Sequence, residues 1–507
     1  MKNIVEYLER AVSKYPDKIA VIDEFGECSY TELESLSKKV ATLLIKEKAV
    51  RVPIIVFMDK GINALSVFLG TAYADSTYTL INPELPSSRI ESIDSTLGTD
   101  IVITDKNFYD QAKELFKDKK IFKVEDIHKG KIDEESISKV REGFIDVDPL
   151  YTNFTSGSTG TPKGVSVCHR SVIDFIDIFT RDFNITKKDI IGNQAPFDFD
   201  VSVKDIYSSL CVGATLVIIP RRLFSQPAPL LDFICEHKVT TMVWAVSALC
   251  LISTFHGLDY RVPSTVNKIL FSGEVMPIKH LNKWMEALPK ATFVNVYGPT
   301  EITCNCTYHI IDRNREYDKY IPIGKAFENE RVFLLDDNDK LITEPNVKGE
   351  ICVSGTCLAL GYFNNKEETD KHFVQNPLNK NYIELIYRTG DLGMYNEQDE
   401  LVFQGRKDFQ IKYNGHRIEL EEIEKAMMKV EGIERACCLF EEEKQKLYGF
   451  YVGTMDKAEL HSALKETLPV YMIPGILKQV EEMPLTKNGK IDRKELMSLV
   501  VKKNGWL

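Results

Sequence analysis

The sequence predicts an α/β protein with a large N-terminal domain of mainly parallel sheets plus a small antiparallel segment, followed by a small α+β C-terminal domain. Short β-branched runs alternate with amphipathic stretches over most of the chain's 507 residues. Beyond about Val332 the strands shorten and turns multiply, and the pattern changes again near Gly405. We therefore expect domains over residues 1–405 and 406–507.

The first predicted strand of the large domain, 53–58, is a run of apolar residues. Such runs are typical of buried parallel strands, which are covered on both faces and lack alternation. Amphipathic stretches of helical length separate this run from the later ones. The predicted strands cover 53–58, 78–81, 100–104, 214–219, 240–244, 268–271 and 292–296, and a predicted helix covers 63–74.

Two further regions differ from this alternation. Residues 105–142 are rich in Lys, Asp and Glu, which favours a solvated surface region. In the predicted C-terminal domain, some segments have apolar residues at the spacing typical of helices and others at the spacing typical of strands. Helices are expected over 420–430, 457–468 and 493–502, and strands over 434–440 and 447–452.

Composition excludes several classes of protein. The net charge of −11 gives no global attraction to nucleic acid or anionic lipid. The N-terminus lacks the apolar core of a signal peptide, and no apolar run has membrane-spanning length. The eleven cysteines lack zinc-site spacing, so we expect buried thiols in a cytoplasmic protein without a structural metal.

One loop, Phe154 to Gly164, has the sequence Phe-Thr-Ser-Gly-Ser-Thr-Gly-Thr-Pro-Lys-Gly. Glycines allow close backbone approach, and clustered N–H and O–H donors beside a lysine suit phosphate oxygens. The spacing fits neither the P-loop nor the dinucleotide-binding fingerprint. The loop is either a phosphate site or a polar surface turn.

Four later motifs also place polar groups at turns. They are Tyr297-Gly-Pro-Thr-Glu301, Tyr387-Arg-Thr-Gly-Asp391, Gly405-Arg-Lys-Asp-Phe-Gln410 and Asn488-Gly-Lys-Ile-Asp-Arg493. Each alone is compatible with an ordinary turn, cap or hairpin tip. In α/β sheets, however, ligands lie at the carboxyl ends of strands, where the first of these motifs falls.

In this order the motifs resemble the adenylate-forming superfamily, which includes amino-acid adenylation domains, acyl-CoA synthetases and luciferases. The resemblance covers nearly the whole chain. It implies activation of a carboxylic acid with ATP and Mg²⁺ to an acyl-adenylate and pyrophosphate, then transfer to a thiol. It also implies that the small C-terminal domain is mobile.

The resemblance implies roles for individual residues. Glu301 would hold Mg²⁺, Thr300 would touch the α-phosphate, and Lys490 would be the catalytic lysine. Asp408 would be the hinge, about which rotation brings the segment around Gly415 to the site. The implied nucleotide-binding residues are Thr155, Ser156, Gly157, Ser158, Thr159, Gly160, Lys163, Gly273, Glu274, Asn295, Tyr297, Gly298, Asp391 and Arg406.

Amino-acid-activating members of the superfamily have an aspartate at the position of Asp200, which binds the substrate's α-ammonium group. The competing interpretation is an aspartate that caps the following helix. Lys204, four residues later, either pairs with Asp200 or faces the substrate and favours an acidic or polar side chain. The other implied pocket residues are Val201, Val243, Leu270, Ser272, Val296, Cys304 and Asn305.

The amino-acid sequences around Asp200 and Gly405 most resemble those of D-alanine–D-alanyl carrier protein ligases. Ser272 departs from that subfamily's cysteine, and Lys204 is unusual for an alanine pocket, so D-alanine and another amino acid both stay open. No carrier motif follows Lys490, so we expect a separate phosphopantetheinylated carrier protein as partner. The alternatives are an acyl-CoA synthetase for a non-amino acid and a catalytically silent nucleotide-binding protein.

Overall fold

A computed structural model describes residues 1–157, 160–317, 320–485 and 491–501. Within these residues the chain divides into two compact units. Unit 1 contains residues 1–83, 97–153 and 164–407, and unit 2 contains residues 84–96, 154–163 and 408–507. The mixed α/β fold with a large N-terminal sheet domain and a smaller C-terminal domain confirms the predicted fold class.

The largest described sheet of unit 1 is mainly parallel, with antiparallel strands at both edges. Its order is β15-β14-β13-β12-β11-β9-β10-β1-β2. The strands are β1 (Ile19–Asp23), β2 (Gly26–Ser29), β9 (Ile190–Asn193), β10 (Thr215–Ile218), β11 (Thr241–Ala245), β12 (Lys268–Ser272), β13 (Thr292–Tyr297), β14 (Thr307–Ile310) and β15 (Lys325–Ala326). The parallel register sets Leu270 beside Val243 and Val294, so the carboxyl ends of these strands lie at one edge.

A second sheet of unit 1 has the order β19-β8-β7-β4-β3-β5-β6. The pairings from β7 through β6 are parallel, and β19 pairs antiparallel with β8. Its strands are β3 (Pro53–Phe57), β4 (Thr77–Leu80), β5 (Ile101–Thr104), β6 (Lys120–Lys123), β7 (Pro149–Thr155), β8 (Lys163–Cys168) and β19 (Gly361–Tyr362).

The third sheet of unit 1 is antiparallel, as expected from the shorter strands beyond Val332. Its order is β17-β16-β18-β21-β20, with β22 also paired to β21. The strands are β16 (Glu330–Leu335), β17 (Leu341–Ile342), β18 (Gly349–Gly355), β20 (Phe373–Gln375), β21 (Leu385–Tyr395) and β22 (Leu401–Arg406).

Helices cover the sheets, and their ends have clear local causes. Ser29 and Glu32 form a capping box at the start of α2, and Gly213 at φ +74° ends α9. The helices of unit 1 are α1 (Val5–Lys14), α2 (Tyr30–Lys46), α3 (Ile62–Tyr73), α5 (Tyr109–Leu115), α6 (Val124–Ile127), α7 (Glu134–Arg141), α8 (His169–Asp182), α9 (Val201–Val212), α10 (Pro227–Glu236), α11 (Val246–Thr254), α12 (Gly257–Tyr260), α13 (Ile278–Ala287) and α14 (Lys366–His372). In addition, α4 covers Ser87–Leu97.

Unit 2 has its own apolar core around Ile423, Met427, Tyr451 and Leu464. Its strands are β23 (Gln410–Tyr413), β24 (His416–Glu419), β25 (Ile433–Glu441), β26 (Lys446–Gly453) and β27 (Ile476–Gln479). The helices that follow residue 408 in this unit are α15 (Leu420–Met428), α16 (Lys457–Lys465) and α17 (Arg493–Val501). The expected helices and strands of this region are present, and β27 adds a parallel partner to β26 that the sequence did not predict.

The charged region over 105–142 is more ordered than a solvated surface segment. It forms α5, β6, α6 and α7, and β6 extends the second sheet by pairing with β5. Val124 and Ile137 are buried, so a few apolar side chains anchor elements whose other faces carry the charges. In the part of the chain that is described, no helix is long and apolar enough to cross a bilayer.

Candidate active site

The turn after β13 is built by close backbone packing. A Cβ atom on Gly298 would lie 2.5 Å from the Cα atom of Asn305 and 2.7 Å from the carbonyl oxygen of Cys304, so only glycine fits. A short 3₁₀ turn follows over Thr300–Ile302, and Thr303 and Cys304 both have positive φ angles, +54° and +77°. Two successive non-glycine residues in this conformation indicate a backbone held by its surroundings.

The strands β13, β21 and β22 bring three of the predicted nucleotide-binding side chains into contact. Tyr297 donates its hydroxyl to Asp391 Oδ2 at 2.5 Å, and Arg406 forms an ion pair with Asp391 Oδ1. Asp391 is 1% exposed, and its register partner across β21 and β22 is Arg406. Each carboxylate oxygen has two lone pairs, so Asp391 can still accept hydrogen bonds from a diol.

Glu301 lies on the 3₁₀ turn and is 1% exposed. Its Oε1 accepts a hydrogen bond of 2.7 Å from the hydroxyl of Tyr362 on β19. The nearby Asn295 donates its side-chain amide to the carbonyl of Pro322 at 2.9 Å, and Gly273, after β12, has a φ angle of +93°. Glu274 follows at the same end of the strand.

Asp200 immediately precedes α9, and its side chain makes no capping hydrogen bond to that helix. As the N-cap residue of α9, Asp200 still places its negative charge at the N-terminus of that helix, so the helix-stabilising interpretation stays an alternative. Burial raises the pKa of Asp200, and the neighbouring Thr300 hydroxyl, the charge of Lys204 and the backbone amide of Val201 partly offset this effect. The Cys304 thiol donates to the Asp200 carbonyl at 3.1 Å.

Lys204 lies one turn further along α9 and is 1% exposed. Its ammonium group donates to Asn305 Oδ1 at 2.6 Å. Among the described residues no ion pair joins Lys204 to Asp200, so the pairing alternative is not observed. The surrounding strand residues Val243, Leu270, Ser272 and Val296 are all buried, whereas Val201 is partly exposed.

Three residues beside this pocket were missed by the sequence analysis. Asp205 is fully buried, accepts from Asn193 Nδ2 at 2.8 Å, and has a pKa raised by burial to about 7. Lys60 donates to Asn193 Oδ1 at 3.0 Å, and burial lowers its pKa to about 7. Lys60 is 133 positions from Asn193 along the chain, so no local pattern could indicate that pair.

The predicted phosphate loop belongs to unit 2. Gly157 cannot carry a side chain, because a Cβ atom would lie 2.2 Å from the carbonyl oxygen of Thr161. The Gly160 amide donates to the Gly157 carbonyl at 2.8 Å, and the φ angle of Gly160 is +88°. Thr155 and Lys163 form the two strand ends of the loop, while Ser158 and Thr159 lie outside the described residues.

Within unit 2 this loop bonds to other segments of the same unit. The Ser156 hydroxyl donates to the Arg417 carbonyl at 2.8 Å, and the Gly157 amide donates to Glu422 Oε2 at 3.3 Å. Glu422 also forms a buried ion pair of 2.6 Å with Arg89. At the start of the long segment of unit 2, Asp408 Oδ1 accepts from the Gln410 amide at 3.2 Å. Lys490 lies outside the described residues.

Comparisons with known proteins identify the family. The sequence profile of the family described as AMP-binding enzyme matches residues 8–363, and that of the AMP-binding enzyme C-terminal domain matches residues 422–490. The chain belongs to the AMP-binding enzyme family. This confirms the resemblance to adenylate-forming enzymes, and the chain is an adenylate-forming ligase by family.

Two curated relatives of this AMP-binding enzyme match it over nearly their whole length. Zwittermicin A synthase ZmaJ of Bacillus cereus is 33% identical over 98% of this chain and 95% of its own. The D-alanine–D-alanyl carrier protein ligase of Bacillus cereus strain Q1 is 32% identical over 98% of this chain and 99% of its own. Several other curated relatives are much longer, and the chain spans between 8% and 45% of their length.

Solved structures agree on the fold of the AMP-binding enzyme. The Vibrio cholerae adenylation domain AlmE, crystallised in complex with glycyl-adenosine-5'-phosphate, superposes with a TM-score of 0.85. The match covers 99% of this chain and 98% of AlmE at 21% identity. At that identity the likeness establishes the fold alone.

Proposed function

We propose that this enzyme activates an amino acid with ATP to an aminoacyl-adenylate and then transfers the aminoacyl group to the phosphopantetheine thiol of a separate carrier protein. In the first step an oxygen of the substrate carboxylate bonds to the α-phosphorus as the bond to pyrophosphate breaks. In the second step the thiol sulfur bonds to the acyl carbon, AMP leaves, and the thiol proton is released. We place both steps in the cytoplasm, where ATP is available.

One observation carries this proposal. The Thr300 hydroxyl lies close enough to the Asp200 carboxylate to lower its pKa, so a group suited to an α-ammonium lies beside the motif suited to an α-phosphate. An amino acid held by Asp200 would therefore present its carboxylate next to Thr300. Holding two reactants in such a geometry lowers the entropic part of the barrier.

The nucleotide would occupy the residues at the carboxyl ends of β13 and β21. Asp391, oriented by Tyr297 and Arg406, would accept the ribose hydroxyls. The buried carboxylate of Glu301 supplies the hard oxygen donors that Mg²⁺ prefers, so its chemistry fits that ion. Mg²⁺ bound there would neutralise phosphate charge. Lys163, with the loop from Thr155 to Gly160, would hold the β- and γ-phosphates, and Lys490 would offset the charge of the reacting oxygens.

The choice of an amino acid over a plain carboxylic acid rests on Asp200, a partly exposed carboxylate at the start of α9 whose side chain makes no capping hydrogen bond. The partner rests on the name of one relative, a ligase for a carrier protein. D-Alanine is the substrate in that relative's name, and for this chain it is one candidate among amino acids.

ATP–pyrophosphate exchange tests the proposal. We expect exchange with at least one amino acid from a panel of L- and D-amino acids. Exchange should be at least about 100-fold less with the same acid lacking its α-amine, because Asp200 then lacks the partner for its partly buried charge. Asp200→Asn is expected to remove that discrimination. Exchange driven equally well by plain carboxylates would favour an acyl-CoA synthetase, and ATP binding without exchange for any acid would favour a silent protein.

A further inference from the structure

The charge of Lys204 is poorly compensated by the protein. The residue is 1% exposed, and its ammonium group can donate three hydrogen bonds. Within the described parts of the chain, its hydrogen-bond partner is the neutral amide oxygen of Asn305 at 2.6 Å. A buried ammonium without an anionic hydrogen-bond partner is costly, so this arrangement calls for a further acceptor.

The two nearest aspartates on α9 and at its start do not fill that role. Asp200 lies one turn earlier; its backbone carbonyl accepts from the Cys304 thiol, and its carboxylate lies beside the Thr300 hydroxyl. Asp205 is adjacent in sequence and is bonded to Asn193. Neither forms an ion pair with Lys204 within 4 Å among the described residues, although both act on it electrostatically.

Asp200 and Lys204 therefore present opposite charges on one face of α9, about 6 Å apart at the level of their Cβ atoms, without neutralising each other. The strained turn after β13 supplies the opposite wall. Cys304, at φ +77°, contacts the Asp200 carbonyl, and the next residue, Asn305, contacts the Lys204 ammonium. The same short segment thus fixes both ends of the charged face.

This charge pattern is complementary to an amino acid that carries a second carboxylate. Its α-ammonium would match Asp200, and its side-chain carboxylate would match Lys204. An alanine side chain would leave the Lys204 ammonium against a methyl group, and a buried polar group left without a partner disfavours binding. Burial alone lowers the pKa of Lys204, whereas an anionic ligand would favour its charged form.

We propose that the amino acid activated by this enzyme has an acidic side chain, whose carboxylate binds the ammonium group of Lys204 beside Asn305. This inference rests on the proposed function and names its substrate class. Lys204 is assigned as the residue that determines specificity, and the shape of the pocket around Val243 and Leu270 would set the length of the accepted side chain.

The test is ATP–pyrophosphate exchange with the L- and D-forms of aspartate, glutamate, asparagine, glutamine and alanine. We expect one acidic amino acid to have a kcat/KM at least about 100-fold above that of its own amide and of alanine, the size expected for a buried charged hydrogen bond. The amide has the same shape as the acid, so this comparison isolates the charge.

A substitution gives a second test. Lys204→Gln keeps a donor for Asn305 but removes the charge, so it should lower kcat/KM for the acid by about 100-fold and make the amide the better substrate. Ser209→Ala is the matched control, because Ser209 is buried on the same helix and its hydroxyl, the group removed, donates to the Ile206 carbonyl of that helix at 2.7 Å. Melting temperatures and the KM for ATP verify folding. If Lys204→Gln fails to fold, the wild-type comparison of acid and amide still decides.

The outcomes separate the two proposals. Exchange with alanine or another neutral amino acid at a rate equal to or above that of every acid would overturn the inference while supporting the proposed function. Exchange with none of these five amino acids would overturn the inference, and exchange with no member of the full panel of L- and D-amino acids would overturn both. A preference for the acid that is unchanged in Lys204→Gln would assign the acidic specificity to another residue and refute the role of Lys204.

Discussion

Substituting Gly298 by alanine tests whether the turn after β13 sets the geometry of the pocket. The new Cβ atom would lie 2.5 Å from the Asn305 Cα atom, whereas ordinary contacts begin near 3.4 Å. The backbone must therefore shift by about 0.9 Å, the difference between those two distances. The atoms that would have to move belong to the segment that holds Asn305 against Lys204.

Overpacking of this kind costs about 3 kcal/mol, which lowers the melting temperature of a domain of this size by about 3 °C or more. Because a displacement of about 1 Å in a site reduces catalysis by about 100-fold, exchange activity should fall much further than stability. The assay is exchange at a temperature well below both melting points. Gly475→Ala is the control, since its Cβ atom would meet no atom within 4 Å. Full exchange activity in Gly298→Ala at wild-type stability would refute the reasoning.

Two further predictions concern Lys490 and His169. Lys490→Ala should lose aminoacyl-adenylate formation far more than transfer from supplied aminoacyl-adenylate, because the lysine charge is needed at the first step. Lys494→Ala is the control, and equal loss of both half-reactions would contradict the role assigned to Lys490. His169 is fully buried and accepts a hydrogen bond from the Ile4 amide, and burial lowers its pKa to about 3. A histidine pKa below the unfolded value of 6.5 gives stability that is present above pH 6.5 and lost as pH falls, about 2 kcal/mol between pH 8 and pH 5. His169→Gln should therefore show a smaller drop in melting temperature over that pH range, and an unchanged drop would disprove the buried neutral ring.

The local pattern of apolar residues was enough to predict several buried strands and helices. The apolar runs over 53–58 and 268–271 form β3 and β12, and the helical pattern over 63–74 forms α3, displaced by one residue. Edge elements were harder, because β6 and β27 contain few apolar residues and owe their place to a neighbouring strand. Backbone pairing with a formed sheet stabilises such segments whatever their own propensity.

The candidate site likewise contains residues that the sequence predicted and residues that it did not. The motif residues Tyr297, Glu301 and Asp391 were predicted because glycine- and proline-containing turns after strands expose polar groups in a recognisable order. Their partners were not predicted: Tyr362, which bonds Glu301, is 61 positions away, and Asn305 is 101 positions from Lys204. The order of strands in the sheets brings those pairs together, and no local sequence pattern predicts that order.

Local periodicity and motifs a few residues long were sufficient to predict the α/β class, the family and the residue types available for adenylation. The tertiary structure decided what Lys204 faces. The Lys204 ammonium could pair with Asp200 or bind a ligand, depending on which group packs against α9. That group is Asn305, which only the packing of the turn after β13 against α9 brings near Lys204. Side-chain pairing across a fold depends on spatial proximity, which the chain acquires through long-range packing.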